Sequence, residues 1–173
     1  LPNGLVNRDE YNGRVVLAHN DWRSALETEL NRSAPVDLET TLTYNAETRQ
    51  VEVTVHVDYL GLGSTNHRLA LYLVEDNIIG YQKDYSLNEG SIPDYNHSHV
   101  LRNALNSIWG ATITPDKPAA PGERYTYSGA FTVNEEWVAE NMQLIAFVQD
   151  HDSRRVLNAQ MTPLDPSNAP NAQ

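Results

Sequence analysis

QVEVTVHVDYL, residues 50–60, sets valines at 51, 53, 55 and 57 between Glu52, Thr54, His56 and Asp58. Successive side chains of a strand point to opposite faces, so this alternation predicts a strand with one buried and one wet face. Residues 124–133 repeat the pattern, with Tyr125, Tyr127, Gly129, Phe131 and Val133 on one side and Thr126, Ser128, Ala130 and Thr132 on the other. Two further runs, LALYLV at 69–74 and LIAFV at 144–148, are apolar on both faces and predict central strands covered on both sides. Leu38, Thr40, Leu42 and Tyr44 line one side of another strand, turned into the 50–60 strand by Asn45-Ala46-Glu47-Thr48. The fold class that follows is mainly β: an immunoglobulin-like antiparallel β-sandwich over residues 35–164.

Working outward, residues 1–34 have a different texture. Gly4, Leu5 and Val6 lead to Tyr11-Asn12-Gly13-Arg14 and then to Val15, Val16 and Leu17, which predicts a hairpin bent at Asn12-Gly13. A helix is expected next, capped by Asn20 or Asp21, with Trp22, Ala25, Leu26 and Leu30 on one face. Pro35 ends that unit. A hairpin and one helix are too small to stand alone, so they are expected to pack on the sandwich or on a second copy of the chain.

Glu75-Asp76-Asn77 is a tight-turn signal joining LALYLV to Ile78-Ile79-Gly80-Tyr81, read as a meander. Residues 85–96 read as the longest loop. Residues 134–141, with acids after Asn134 and no alternation, read as one or two helical turns crossing between the sheets. The last hairpin joins LIAFV to Val156, Leu157, Asn158 and Ala159 across Asp150-His151-Asp152-Ser153. The polar, proline-containing tail, residues 165–173, reads as a loose end.

The chain has 173 residues, 12 basic and 23 acidic, and a formal charge of −11. That balance argues against nucleic acid and anionic lipid surfaces, which both require a basic face. With no cysteine, thiol nucleophiles, disulfides and thiolate metal sites are excluded from these residues. No apolar run is long enough to span a bilayer as a helix, and a chain starting at Leu1 reads as a processed or truncated piece.

Catalytic signals are sparse: there is no G-x-S-x-G, H-E-x-x-H, phosphate-binding glycine loop or G-x-G-x-x-G. Glu135-Glu136 are neighbours at a helix start, where acids gather anyway. His97 and His99, two apart, share a face if extended, and with Asp94 could ligate zinc, although a fourth ligand is lacking. The turns holding Glu75 and Asp76, and Asp150 and Asp152, offer oxygen ligands for calcium without matching a known calcium loop. Tyr81, Tyr85 and Tyr95, which flank the long loop, are expected to be exposed, and with Trp109 they are candidates for an aromatic platform that binds a sugar or a peptide. Tyr125 and Tyr127 are assigned to the core. Asn31-Arg32-Ser33 and Asn96-His97-Ser98 match the N-glycosylation acceptor pattern.

LPNGLVNR at 1–8, LYLVEDNIIGYQ at 71–82, YNHSHVLRNAL at 95–105 with Trp109-Gly110, and QLIAFVQDHDSRRVLNAQ at 143–160 resemble the outer-membrane lipoprotein family named for its twenty-eight-kilodalton member, found in Gram-negative gut and oral bacteria. The resemblance implies a thioredoxin-like domain ahead of a β-sandwich. Pro2 then corresponds to a cis-proline strand, Val15 to Leu17 to the last strand, and the Trp22 helix to the last helix of that domain. It also implies a cell-envelope address with a lipid anchor upstream of Leu1, which would be the only membrane contact. The expected function is a non-catalytic surface or interaction module with a protein or glycan partner. The alternatives are a carbohydrate-binding or calcium-assisted binding domain, or a support for a thioredoxin-like domain. Self-association through the N-terminal remnant is a further expectation.

Overall fold

The computed structural model describes residues 3–88 and 90–165. Pro2 and most of the 165–173 tail, on which two of the readings above rest, lie outside the described residues. The N-terminal unit comprises β1 (Asn3–Gly4), β2 (Leu17–Ala18) and α1 (Trp22–Leu30). β1 and β2 pair antiparallel. At the expected bend, Asn12 (φ 50°) and Gly13 (φ 78°) are both left-handed and Tyr11 and Arg14 exchange backbone hydrogen bonds of 2.9 and 3.1 Å, the geometry that an Asn-Gly pair favours. Asp21 precedes α1, but no side chain caps the helix.

The sandwich is built from β3 (Val36–Asn45), β4 (Gln50–Tyr59), β5 (His67–Glu75), β6 (Ile78–Lys83), β7 (Ser91–His97), β8 (Val100–Ala104), β9 (Ala111–Thr112), β10 (Arg124–Thr132), β11 (Met142–Asp150) and β12 (Val156–Pro163). One sheet runs β10-β4-β3 and the other β12-β11-β5-β8, with β9 also paired to β5. All pairings are antiparallel. First, second and late strands in one layer with the remainder in the other is the immunoglobulin-type distribution. β4, the alternating strand, sits in the middle of its sheet with Val51, Val53, Val55 and Val57 at most 3% exposed. Each buried valine removes enough apolar surface to contribute on the order of 2 kcal/mol.

β5 and β11 occupy the centre of the other sheet, as their double-faced apolarity requires. Leu69, Leu71 and Leu73 pair with Val148, Ala146 and Leu144 toward the inter-sheet core. Ala70 and Phe147, which pair with each other on the opposite face, are buried as well. Part of their cover is the N-terminal unit: the Arg8 guanidinium lies 5.4 Å from the centre of the Phe147 ring. Arg8 also donates a 2.6 Å hydrogen bond to Oε1 of the fully buried Gln149. The Val156 amide donates to the Asn7 carbonyl at 2.8 Å, and Arg155 pairs with Asp9 and Glu29. Arg32 pairs with the same two acids from inside the unit.

Two local readings are corrected. β6 does not pair with β5 in a meander; it pairs with β7 in a separate two-stranded ribbon inserted between β5 and β8. Ser91–His97 is therefore strand, not part of a long loop, because β6 supplies its hydrogen-bond partner. The crossing at 134–141 contains a single one-turn 3₁₀ helix, Ala139–Asn141. It is clamped by Arg49, whose guanidinium donates to the carbonyls of Val133, Asn134 and Trp137 at 3.1, 2.7 and 2.7 Å.

Candidate functional site

Two surfaces concentrate the side chains singled out in the sequence. The first is the β6–β7 ribbon. It holds Tyr81 and Tyr95 on its strands and Tyr85 just beyond, and they are 62%, 41% and 83% exposed. Ile79 and Leu87 are exposed beside them. The Lys83 ammonium sits 5.3 Å from the Tyr85 ring centre, and Tyr95 meets His97 edge to face at 4.9 Å. Rings in this state offer a large contact area at a small loss of rotamer freedom.

The root of the ribbon is polar. The Glu75 carboxylate is buried and accepts from Arg102 Nε at 2.7 Å and from the Val138 amide at 3.0 Å. Asp76 accepts from the His99 amide at 2.6 Å and from Gln143 Nε2 at 2.7 Å. Asn77 donates to Asn141 and accepts from Asn96, both at 3.1 Å. The acids nominated for calcium at this turn thus accept hydrogen bonds that fasten the root of the ribbon to its surroundings. The same holds at the other turn: Asp150 accepts from the amide and hydroxyl of Ser153, both at 2.8 Å, and Asp152 accepts from Asn66 Nδ2 at 2.5 Å. Burial pushes the Asp150 carboxyl up, but the Ser153 hydrogen bonds and the neighbouring His67 bring it below its ordinary 3.8.

His97 and His99 do not share a strand face. His97 ends β7, and His99 sits in the following turn with φ at 54°. Among the described residues no three His, Asp or Glu side chains converge as a metal set.

The second surface surrounds Trp109, in the connection between β8 and β9. Asn106 takes the place of a strand neighbour there: its Oδ1 accepts from the Leu71 amide at 3.1 Å and its Nδ2 donates to the Leu69 carbonyl at 2.7 Å. Gly110 (φ 76°) follows so closely against β5 that a Cβ would stand 2.6 Å from the Leu69 carbonyl oxygen. Tyr72 Oη donates to the Ile108 carbonyl at 2.6 Å and Gln149 Nε2 to the Trp109 carbonyl at 2.9 Å. Trp109 is thereby held on the outer face of the five-stranded sheet, half-exposed, with the Arg154 guanidinium 4.3 Å from its ring centre. Sequence reasoning found Trp109 but neither Arg8 nor Arg154. Both are distant in the chain: Arg154 lies over the Trp109 ring, and Arg8 lines the same surface.

A family model described as "Outer membrane protein Omp28" matches residues 1–168. The chain belongs to that family. Its address is accordingly the bacterial outer membrane, and the family description carries no enzymatic activity. No curated protein matches the chain. Among solved structures, a domain of the outer membrane lipoprotein Omp28 from Porphyromonas gingivalis is 24% identical, covering 78% of this chain and 91% of that one, with a TM-score of 0.47. The sporulation control protein Spo0M from Bacillus subtilis is 11% identical, covering 75% and 49%, with a TM-score of 0.46. No helix among the described residues is long and apolar enough to cross a membrane, so in this Omp28-family chain the described residues carry no helical span.

Proposed function

We propose that this Omp28-family chain is a non-catalytic interaction module of the cell envelope, tethered through a lipid anchor outside these residues, with the β6–β7 ribbon as its contact element. The observation that carries the reading is the ribbon itself. It pairs with no other sheet among the described residues, and it exposes three tyrosines, Ile79 and Leu87 at a site where the sandwich needs no such insertion. Aromatic side chains on a projecting, backbone-paired element suit a protein or glycan partner. This reading does not call on calcium; the turn carboxylates serve it by accepting hydrogen bonds from neighbouring donors.

The test compares the chain with a Tyr81→Ser, Tyr85→Ser, Tyr95→Ser variant on arrays of surface glycans and extracellular proteins. The expected result is saturable binding to one class, lost in the variant at an unchanged melting temperature. Undiminished binding by the variant, or no binding by the parent to either array, overturns it. Hydrolysis of a sugar or peptide that one acidic substitution abolishes would overturn the non-catalytic part.

A second reading rests on the N-terminal unit, which grips β11 and β12 through Arg8, Asp9 and Glu29 while exposing Leu5, Val16, Leu26 and Leu30. Here the sandwich supports a thioredoxin-like domain. Thiol activity of a longer chain that is unaffected by removing residues 35–164 would count against it.

A further inference from the structure

The outer face of the five-stranded sheet carries a cavity of about 470 Å³ between Arg8 and Arg154, with Tyr72 as its floor and Leu101, Ile108 and Trp109 as walls. Its size lies within the range of roughly 300–1,000 Å³ usual for small-molecule sites. It is separate from the ribbon and has no role in the reading proposed above.

Three observations bear on its chemistry. The first is charge. In a chain of formal charge −11, Arg23, Arg32, Arg102, Arg124 and Arg155 are each paired with a carboxylate. Arg8 and Arg154, like Arg14, Arg49 and Arg68, have no such partner among the described residues, and Arg8 and Arg154 line one cavity. Their neighbours are an amide and three rings: Gln149 and Phe147 for Arg8, Trp109 and His151 for Arg154. These contacts fix the guanidiniums while leaving N–H donors unspent, since each carries five. The second is the wall. Leu101, Ile108 and Trp109 are 54%, 63% and 46% exposed, an apolar patch that no part of the core claims. The third is the backbone behind that wall. Ser107 has a φ of 153°, unusual for a residue other than glycine, between Asn106, which is hydrogen-bonded to β5, and Gly110, which packs closely against the Leu69 carbonyl.

We propose that this cavity binds an amphipathic carboxylate, with the anionic head between the guanidiniums of Arg8 and Arg154 and an apolar chain or ring against Ile108, Leu101 and Trp109. Planar guanidinium groups match a carboxylate through paired N–H donors. Carbon-rich walls favour an apolar body over a hydroxyl-rich acidic sugar, whose polar groups they would leave unpaired. The head group can belong to a free organic acid or to the C-terminus of a peptide ending in an apolar side chain.

The test is calorimetric titration of the whole chain with 4-phenylbutanoate and its uncharged amide, and with a short peptide ending in leucine as free acid and as amide. The expected result is saturable binding of at least one acid, at least about tenfold tighter than its amide, weakened about tenfold in Arg154→Met and weakened by salt. Whether the free acid or the peptide acid binds more tightly names the source. Leu101→Asp, at an exposed position, should also weaken binding without changing the melting temperature, and it serves if Arg154→Met does not fold. The proposal is overturned if no acid binds below about 5 mM, if amide and acid bind equally, or if neither variant alters the affinity.

Discussion

Glu75 is the residue on which most depends. Its carboxylate is buried at the end of β5, where it closes one contact to Arg102 and another to the crossing at Val138. Removing one partner of such a pair leaves the other with no compensating charge and strands the amide. Glu75→Ala is expected to lower stability by about 3 kcal/mol, seen as an earlier denaturant midpoint at unchanged slope. His67 is the second. It is buried at 7% exposure, stacks on Tyr59 at 5.8 Å and contacts its hydroxyl at 3.3 Å. Burial holds the imidazole below its ordinary 6.5, with Asp150 opposing the effect in part. The folded state therefore keeps His67 neutral where the unfolded chain takes up a proton. Stability is full above 6.5 and declines as pH falls from there toward the folded value, by at most about 1.4 kcal/mol per pH unit. Denaturant midpoints measured between pH 7 and 5 should fall, and His67→Gln should flatten that slope. Asp150 does not interfere, because its own loss sets in only below 3.8.

Among the elements, the alternating and double-faced strands were legible because burial itself writes their pattern: β4, β5, β10 and β11 all lie where residues 50–60, 69–74, 124–133 and 144–148 put them. β7 was not legible. Ser91-Ile92-Pro93-Asp94 has the composition of a loop, and what makes it a strand is the hydrogen bonding offered by β6 across Gln82 and Ile92. The helix cap failed for a related reason: Asp21 supplies the right side chain in the wrong backbone conformation, φ −93° and ψ −14°, where an N-cap is ordinarily extended. Trp109 could be nominated as a ligand-binding aromatic, but the two arginines beside it could not, since periodicity carries no signal between residues 8, 109 and 154. At this scale Asn106 is the test. Asn106→Ala leaves the Leu71 amide and Leu69 carbonyl of β5 without partners, and it is expected to cost about 2 kcal/mol. The change should also increase hydrogen exchange in residues 105–110 while β11 stays protected.

For the whole molecule, the second apolar face of β5 and β11 was readable as covered, and only the structure names the cover. Arg8 covers Phe147 and the Trp109 connection covers β5 beside it, and the unit that carries Arg8 is fastened by a polar seam in which Arg155 reaches Asp9 at 3.1 Å and Glu29 at 3.5 Å. Burial raises the Asp9 carboxyl, but the Arg32 hydrogen bond, the Glu10 amide and Arg155 hold it below 3.8 overall. Arg155→Ala is expected to loosen this seam without unfolding the sandwich. Limited proteolysis should cut faster at residues 31–35, while the main transition moves by no more than about 1 kcal/mol, the usual scale of a half-exposed ion pair.

The ribbon has a mechanical meaning too. Its two legs enter the sheet at Glu75 and Val100, which are themselves paired across β5 and β8. A pull on the ribbon tip is therefore delivered to the same end of one antiparallel pair, so the rungs bear load one after another, as in a zip. β5 is held on its other side by β11 over nine register pairs, whereas β8 is an edge strand, so β8 peels first. The tether yields at low force in steps that begin with the contacts of Asp76 to His99 and Glu75 to Arg102. In a force spectrum of the chain pulled between residue 87 and its C-terminal end, an early low-force event should precede rupture of the sandwich and shift lower still in Glu75→Ala. An attachment made through this ribbon would let go of its partner, or of β8, before the domain itself came apart.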